Sequence, residues 1–412
     1  MHRLLIGLVV FVMFLAGAGV PEDPPSGEGS GMPFLTKGPD NRVYLSWTDD
    51  LGENGHALRY SRWMGEGWSA PETIAEGEHW FVNWADFPSL AVSRDGSMYA
   101  HWLARAEHGG KYGYGIHVAR RDAQGKQWKE IHGMSIDETE DYAGFLHFVN
   151  SPSGTGAVYL SPPLEKTTQT HGASQPSAGE TTGHQHEVEH RKTLRFVQFG
   201  RGGDVVSDQL LDADVCSCCQ TTAGATSRGL LVAYRDHRPN EIRDISVARL
   251  ENGRWSEPSL LHPDGWQINA CPTDGPSLAV SGKDVAIAWY TRAQNQPRVQ
   301  VALSSDSGVH FGPTVRLDNG NPLGRPTITR LDATNFLATW LERAEAGGAE
   351  VRMRCVGLDG KLSESVTVAR LAAARSSGFP KVEVSGDQII VAWRDGRVKA
   401  AILDRKTFAK VH

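Results

Sequence analysis

The chain has 412 residues, and its 42 Lys and Arg against 48 Asp and Glu give a formal net charge of −6. This charge, with no block of Lys and Arg, argues against a nucleic-acid partner bound through its phosphates. Hydrophobic residues make up 40% and charged residues 22%, which excludes a disordered chain and a membrane bundle. Forty-five glycines and 21 prolines indicate many short strands and turns.

The first residues predict an export signal. His2 and Arg3 precede an apolar run from Leu4 to Val20 that ends in small residues. This order is typical of a secretory signal peptide, with a short uncleaved anchor as the alternative. We therefore expect residues 1–19 to be removed, export to the periplasm or the extracellular space, and no stable membrane span after cleavage. Residues 20–33, rich in Gly, Pro and Ser, are expected to form a flexible spacer.

A repeat organises the rest of the chain. Seven segments each contain a short apolar strand, a turn and a second strand with a marker aromatic residue. The markers recur about every 50 residues, a period typical of the four-stranded blades of a β-propeller; they are Trp47, Trp102, Tyr159, Tyr234, Trp289, Trp340 and Trp393. We predict an all-β fold in which residues 34–412 form a β-propeller, with seven four-stranded blades or, as the alternative, six. A His-rich insertion at residues 163–191 interrupts the third unit.

One turn of the fifth unit has a recognisable sequence. Residues 304–311 read SSDSGVHF, and the pattern S-x-D-x-G-x-x-F is made by Ser304, Asp306, Gly308 and Phe311. In such a turn the Asp accepts hydrogen bonds from nearby amides, and Gly supplies a positive φ. This turn resembles the Asp box, or BNR repeat, of the sialidase superfamily. In that family the box is a structural turn away from the active face, so the resemblance implies a sialidase-like propeller more than an activity.

Four of the five cysteines are predicted to share one face of the ring. The loop that leads into the innermost strand of a blade, here called its leading loop, lies on the same face as the loop between its second and third strands. Leading loops contain Cys216, Cys218, Cys219 and Cys271. The His-rich insertion next to them contains His171, His184, His186 and His190.

Thiolate and imidazole groups suit copper or zinc. We therefore expect the four cysteines to line the mouth of the axial channel and to bind a soft metal, or another ligand, with the four histidines as accessory metal ligands. Two alternatives stay open. An exported protein can pair such cysteines as disulfides, and the His-rich segment can be a solvated insertion.

The sialidase resemblance also implies an enzymatic alternative. Enzymes of that family clamp a substrate carboxylate with three arginines and use a Tyr–Glu pair and an Asp in catalysis. The chain departs from this pattern, because the family's first arginine stands in an F/Y-R-I-P motif and residues 33–39, PFLTKGP, contain no Arg. Candidate catalytic residues on the same face, which could instead form salt bridges between loops, are Asp86, Arg235, Arg325, Glu342 and Arg394.

Three functions therefore stay open for this sequence. The first is a propeller that binds a metal, a small molecule or a glycan. The second is a sialidase-type glycoside hydrolase that acts on acidic glycans. The third is a protein-interaction scaffold, a common use of propeller faces.

Overall fold

The computed structural model describes residues 20–106, 113–131, 141–163 and 191–408. It confirms the all-β prediction, because seven antiparallel sheets form the blades of a seven-bladed β-propeller. The innermost strands contact one another in chain order, and the last contacts the first, so the ring is closed. The six-bladed alternative is wrong. Across the described ranges no helix is both long and apolar enough to cross a membrane.

The strands of each blade follow one another from the axis outward. Blades 1 and 2 contain β2 (Gly31–Lys37), β3 (Val43–Gly52), β4 (Gly55–Arg62) and β5 (Glu72–Glu78), then β6 (Ser89–Val92), β7 (Met98–Arg105), β8 (Tyr114–Arg121) and β9 (Lys129–Ile131). Blades 3 and 4 contain β10 (Gly144–Ser151), β11 (Gly154–Ser161), β12 (Lys192–Phe199) and β13 (Val205–Val215), then β14 (Thr222–Thr226), β15 (Gly229–Arg235), β16 (Ile245–Glu251), β17 (Arg254–Trp255) and β18 (Ser259–Leu260).

Blades 5 and 6 contain β19 (Ser277–Ser281), β20 (Asp284–Thr291), β21 (Arg298–Ser304) and β22 (Val315–Arg316), then β23 (Pro322–Arg330), β24 (Asn335–Arg343), β25 (Ala349–Gly357) and β26 (Val366–Leu371). Blade 7 contains β27 (Lys381–Ser385), β28 (Gln388–Asp395), β29 (Arg397–Asp404) and, as its outermost strand, β1 (Val20–Pro21). Short 3-10 turns occur at Pro239–Glu241, Ala293–Asn295, Arg375–Ser377 and Arg405–Phe408.

The marker aromatics explain why the repeat is so regular. Each lies in the second strand of its blade, and all seven are buried. Trp47 of blade 1 packs with Ile390 of blade 7, and Trp289 of blade 5 packs with Leu231 of blade 4. A large aromatic side chain thus fills the space between neighbouring sheets, where its burial contributes strongly to stability.

Residues 20–33 differ from the expected flexible spacer. Val20 and Pro21 pair with β29, so the two ends of the described chain share blade 7. Ser30 is fully buried and its hydroxyl accepts a hydrogen bond from the Val398 amide (3.0 Å), while Asp23 pairs with Arg397 (2.8 Å). Strand β1 in this segment pairs with the backbone groups at the edge of β29. Because this pairing uses backbone groups, the amino-acid composition does not predict it.

Candidate functional site

Three thiols meet in the turn between β13 and β14, at the leading loop of blade 4. Cys216, Cys218 and Cys219 are 1%, 9% and 2% exposed, and their sulfur atoms all lie within 4.8 Å of one another. The Cys216 Sγ atom is 3.3 Å from that of Cys219 and 3.9 Å from that of Cys218. The Cys216 amide donates to the Arg235 carbonyl (3.1 Å), which anchors the turn to the second strand of blade 4. We call these three residues the Cys turn.

A fourth thiol reaches the Cys turn from the next blade. Cys271 lies in the leading loop of blade 5, is exposed, and is close enough to Cys218 to contribute to the raised pKa of that thiol. The structure therefore brings together the four cysteines that the sequence singled out. The fifth, Cys355, is buried in β25 and belongs to the hydrophobic core of blades 6 and 7.

Hydrogen bonds and cations favour a thiolate within this group. Hydrogen bonds from Cys218 and Cys219, together with the charge of Arg243, hold the pKa of the Cys216 thiol well below its usual range. Burial raises the pKa of Cys219, and the charge of Arg235 opposes that rise. One low-pKa thiol between two higher-pKa thiols is the pattern expected when neighbouring S–H groups donate to a single thiolate.

Two stacked tyrosines connect the Cys turn to Asp86. The Tyr142 hydroxyl donates to the carbonyl of Ser217. Its ring stacks on that of Tyr114, with centroids 4.8 Å apart and planes at 13°, and the Tyr114 hydroxyl donates to Asp86 Oδ2 (3.1 Å). Burial raises the pKa of both tyrosines well above the usual value, so both phenols stay protonated donors. Sequence reasoning missed this pair because neither tyrosine is a marker aromatic.

Asp86 holds the leading loop of the next blade. It is 2% exposed, and burial raises the pKa of its carboxyl to about 7. Its Oδ1 atom accepts from the amide of Phe145, whose φ is +55°, and a Cβ at Gly144 would lie only 2.0 Å from its Oδ2 atom. Asp274 repeats the arrangement at blade 6, where it accepts from the Arg325 amide (2.7 Å) and where burial raises its pKa to about 7.

The other catalytic candidates are also engaged with the main chain. Arg235 is 1% exposed and donates to the carbonyls of Asp274 (2.7 and 3.0 Å) and Tyr290 (2.7 Å). Glu342 accepts from the amides of Asn319 and Asn321 and from the indole of Trp340. These contacts are structural, and they differ from the loop-to-loop salt bridges that the sequence offered as the alternative.

Arg325 and Arg394 follow the same pattern. Arg325 donates to the carbonyls of Ala374 and Gly378, and its guanidinium lies 4.5 Å from the ring centre of Trp84. Arg394 donates to the carbonyls of Ser30 and Ser376. Both side chains therefore tie leading loops to their neighbours.

The axial cavity lies beside the Cys turn. It has a volume of about 220 Å³ and is lined by residues of all seven blades, including Asp86, His147, Gln220 and Lys381. Among the described residues that line it there is no cysteine, so the expectation of a Cys-lined mouth needs correction. The thiols pack instead in the hydrophobic core around blades 3 and 4, which is a common environment for a small, apolar thiol.

The sequence-predicted turn of blade 5 has the expected local chemistry. Asp306 Oδ1 accepts from the amides of Val309 (3.1 Å) and His310 (3.0 Å) and from the Ser304 hydroxyl (2.7 Å), and Gly308 has a φ of +78°. Phe311 packs at the core shared with blade 4. The candidate accessory ligands His171, His184, His186 and His190 lie outside the described residues, as do residues 1–19.

The fold is shared with enzymes that act on polysaccharides. No protein-family model matches the sequence, and comparison with curated protein sequences gives no match. A protein of unknown function from Dyadobacter fermentans is 13% identical, with 95% of this chain and 100% of that chain covered and a TM-score of 0.53. An ulvan lyase of polysaccharide lyase family 25, bound to -[GlcA(1-4)Rha3S]-, is 12% identical over 96% of each chain, with a TM-score of 0.51.

Sialidases are among the similar structures as well. A Hadza microbial sialidase is 12% identical over 76% of this chain and 63% of that chain, with a TM-score of 0.43. At 12–13% identity, the likenesses to the Dyadobacter protein and the ulvan lyase show the fold alone. The chain is thus a propeller whose architecture is shared with the ulvan lyase, and its function has to be argued from its own residues.

Proposed function

We propose that this protein binds a thiophilic metal ion, Cu(I) in preference to Zn(II), through Cys216, Cys218 and Cys219. The observation that carries the proposal is the convergence of three buried thiols in one turn. Three sulfur atoms that each lie about 2.3 Å from one ion are roughly 3.8–4.0 Å apart. The separation of 3.9 Å already fits, and that of 3.3 Å has to widen by only a fraction of an ångström.

The surroundings of the Cys turn suit a soft, anionic metal–thiolate group. A monovalent ion with three thiolates carries net negative charge, and Arg243 and Arg235 are the cations that act on Cys216 and Cys219. Soft sulfur ligands select Cu(I) and Zn(II), and zinc takes four ligands in a closed structural site. Three buried thiols supply a copper site by themselves, whereas a zinc site also needs the exposed thiol of Cys271.

Metal titration of the reduced protein tests the proposal. Under anaerobic conditions we expect one Cu(I) per chain, measured by competition with a chromogenic Cu(I) chelator and by thiolate-to-copper absorption. Cys216→Ala and Cys219→Ala should each weaken binding at least about 100-fold, because each removes a ligand. Cys355→Ala, a buried cysteine of another blade, is the matched control and should bind as the unmodified protein does.

Zinc and disulfides provide the outcomes that contradict the proposal. Cys271→Ala should abolish tight Zn(II) binding while leaving Cu(I) bound. Equal Cu(I) affinity in Cys216→Ala and in the unmodified protein would overturn the assignment. So would protein whose cluster cysteines stay disulfide-bonded and metal-free in both reducing and oxidising preparations, as read by thiol alkylation and mass spectrometry.

The glycoside hydrolase alternative receives less support from the same contacts. A carboxylate clamp needs guanidinium groups whose N–H donors point at the substrate. The guanidinium groups of Arg235 and Arg394 instead donate to main-chain carbonyls. Glu342, another candidate catalytic residue, accepts hydrogen bonds from two amides and an indole.

A further inference from the structure

The axial cavity holds a cation that the metal proposal does not use. Lys381 is the first residue of β27 and lines the cavity. Its Nζ atom lies 4.0 Å from the ring centre of Phe87, 5.4 Å from that of Phe379 and 5.5 Å from that of Phe34. Three phenyl rings from blades 1, 2 and 7 therefore surround one ammonium group. We call these four residues the Lys381 cage.

Within the described chain, no hydrogen bond or ion pair holds the ammonium of Lys381. Burial lowers the pKa of this amine to about 7, and no carboxylate opposes the shift. Cation–π contacts offset part of the cost of removing a charge from water, but a half-buried cation such as Lys381 without an anion stays costly. Among the described residues, no anionic side chain therefore pairs with the Lys381 ammonium.

The other ionisable groups that line the cavity do not supply that charge. Burial, with the charge of Lys381, lowers the pKa of the His147 imidazole to about 4, so His147 is neutral at physiological pH. Burial raises the pKa of Asp86 to about 7, and Asp86 is bound to Tyr114 and to the Phe145 amide. Burial also raises the pKa of Glu383, which is hydrogen-bonded to Thr329 (3.2 Å).

We propose that the axial cavity binds a small monocarboxylate whose carboxylate pairs with Lys381 and whose apolar body packs against Phe34, Phe87 and Phe379. The volume of about 220 Å³ is below the roughly 300–1,000 Å³ of pockets for drug-sized ligands, so the ligand is small. A single ammonium is a point charge without the forked donors that match phosphate. This site is independent of the metal proposal.

Proton uptake gives the proposal a signature that needs no variant. A bound carboxylate raises the pKa of the Lys381 amine, so ligand binding is accompanied by uptake of a proton that the free protein holds only in part. With a pKa of about 7, the uptake at pH 7 is up to about half a proton per ligand. Binding should weaken above this pH, and ionisation of Asp86 acts in the same direction.

Calorimetry with benzoate tests the site. Titrations at pH 7 in two buffers with different protonation enthalpies should give the same affinity and different heats. Lys381→Met should weaken benzoate binding roughly 10- to 100-fold, because it removes a charged hydrogen-bond donor, while its thioether keeps contact with the three rings. Lys361→Met is the matched control, since the Lys361 side chain is 65% exposed and its loss should leave binding unchanged.

The outcomes separate this proposal from its rivals and from the metal site. Buffer-independent heats, equal benzoate affinity in Lys381→Met, or sulfate binding as tight as benzoate binding would each overturn it. Tighter binding of glucuronate than of benzoate would also contradict the apolar cage and would favour a glycan ligand. Cys216→Ala should bind benzoate normally, so failure of the metal proposal leaves this result intact.

Discussion

The buried carboxyl of Asp86 makes a sharp prediction about stability and pH. Its folded-state pKa is raised from 3.8 to about 7 because the group is buried. A raised pKa means that the folded protein holds a proton that the unfolded chain releases. The contribution of the protonated Asp86 carboxyl to the stability of the folded protein is therefore fully present below pH 4 and is lost as the pH rises through 7. Asp86→Asn keeps the acceptor for the Phe145 amide and removes the ionisation.

The size of the effect follows from the shift. One pKa unit is worth about 1.4 kcal/mol, so the full shift corresponds to about 4 kcal/mol. Between pH 5 and pH 8 the part that is lost is about 2.5 kcal/mol, and exposure of 2% leaves little solvent screening. Burial lowers the pKa of His101 to about 3 and that of His147 to about 4, and these groups give the opposite slope. The informative quantity is thus the difference between variant and unmodified protein.

Urea unfolding at pH 5 and pH 8 measures this difference. We expect Asp86→Asn to gain about 2.5 kcal/mol relative to the unmodified protein when the pH is raised across this range. Asp274→Asn should behave alike, because burial raises its pKa to the same value. Asp387→Asn, at an exposed turn, is the control and should show no change. Identical pH slopes in Asp86→Asn and the unmodified protein would refute the reasoning.

Three further predictions concern the ring itself. Arg235→Met should destabilise the protein by about 3 kcal/mol or more in urea unfolding, because carbonyls of Asp274 and Tyr290 lose a buried charged donor; a loss no larger than that of exposed Arg254→Met would contradict this role. A chain that starts at residue 31 should show faster amide exchange in β29, whose edge strand is then missing. Unchanged exchange would show that β1 does not protect the edge of β29. Gly308→Ala should lower the free energy of unfolding by about 1–3 kcal/mol, because its φ is +78° and the new Cβ would lie 2.7 Å from Leu231 Cδ2. Gly253→Ala is the control, because its φ is +76° but no atom lies near the new Cβ, and it should lower the free energy of unfolding by less.

The fold could be predicted because its determinants are local and repeated. A buried aromatic such as Trp47 or Trp289 fills the gap between two sheets in every repeat, so the sequence shows one large aromatic per blade. Turn residues are a second local indication of the fold, as at Gly308, where the turn requires a positive φ. The pairing of Val20 and Pro21 with β29 joins the two ends of the chain through backbone hydrogen bonds, and no side-chain pattern records it.

The candidate site was predicted less completely, for a physical reason. Spacing along the chain places Cys218 and Cys271 on neighbouring loops, and in the structure Cys271 lies close enough to affect the pKa of Cys218. The direction of a side chain at a loop depends on packing that spacing does not describe, so the thiols lie in the core while Gln220 faces the cavity. The same limit hid the Lys381 cage, because Phe34, Phe87 and Phe379 are far apart in sequence and meet only at the axis.

The short distance along the chain between the Cys turn and the cavity wall raises the question of coupling between the two proposed sites. Gln220 and Thr221 follow Cys219 directly and line the cavity. Gln220 accepts from the Gly275 amide (2.7 Å) and donates to the Ala85 carbonyl, and Thr221 donates to the Phe145 carbonyl (2.7 Å). These contacts fix the wall without a metal. We therefore expect the affinity for benzoate to differ by no more than about twofold between metal-free and copper-loaded protein, as measured by calorimetry. A larger change would mean that metal binding moves this wall, and the same factor would then appear in the effect of benzoate on copper affinity.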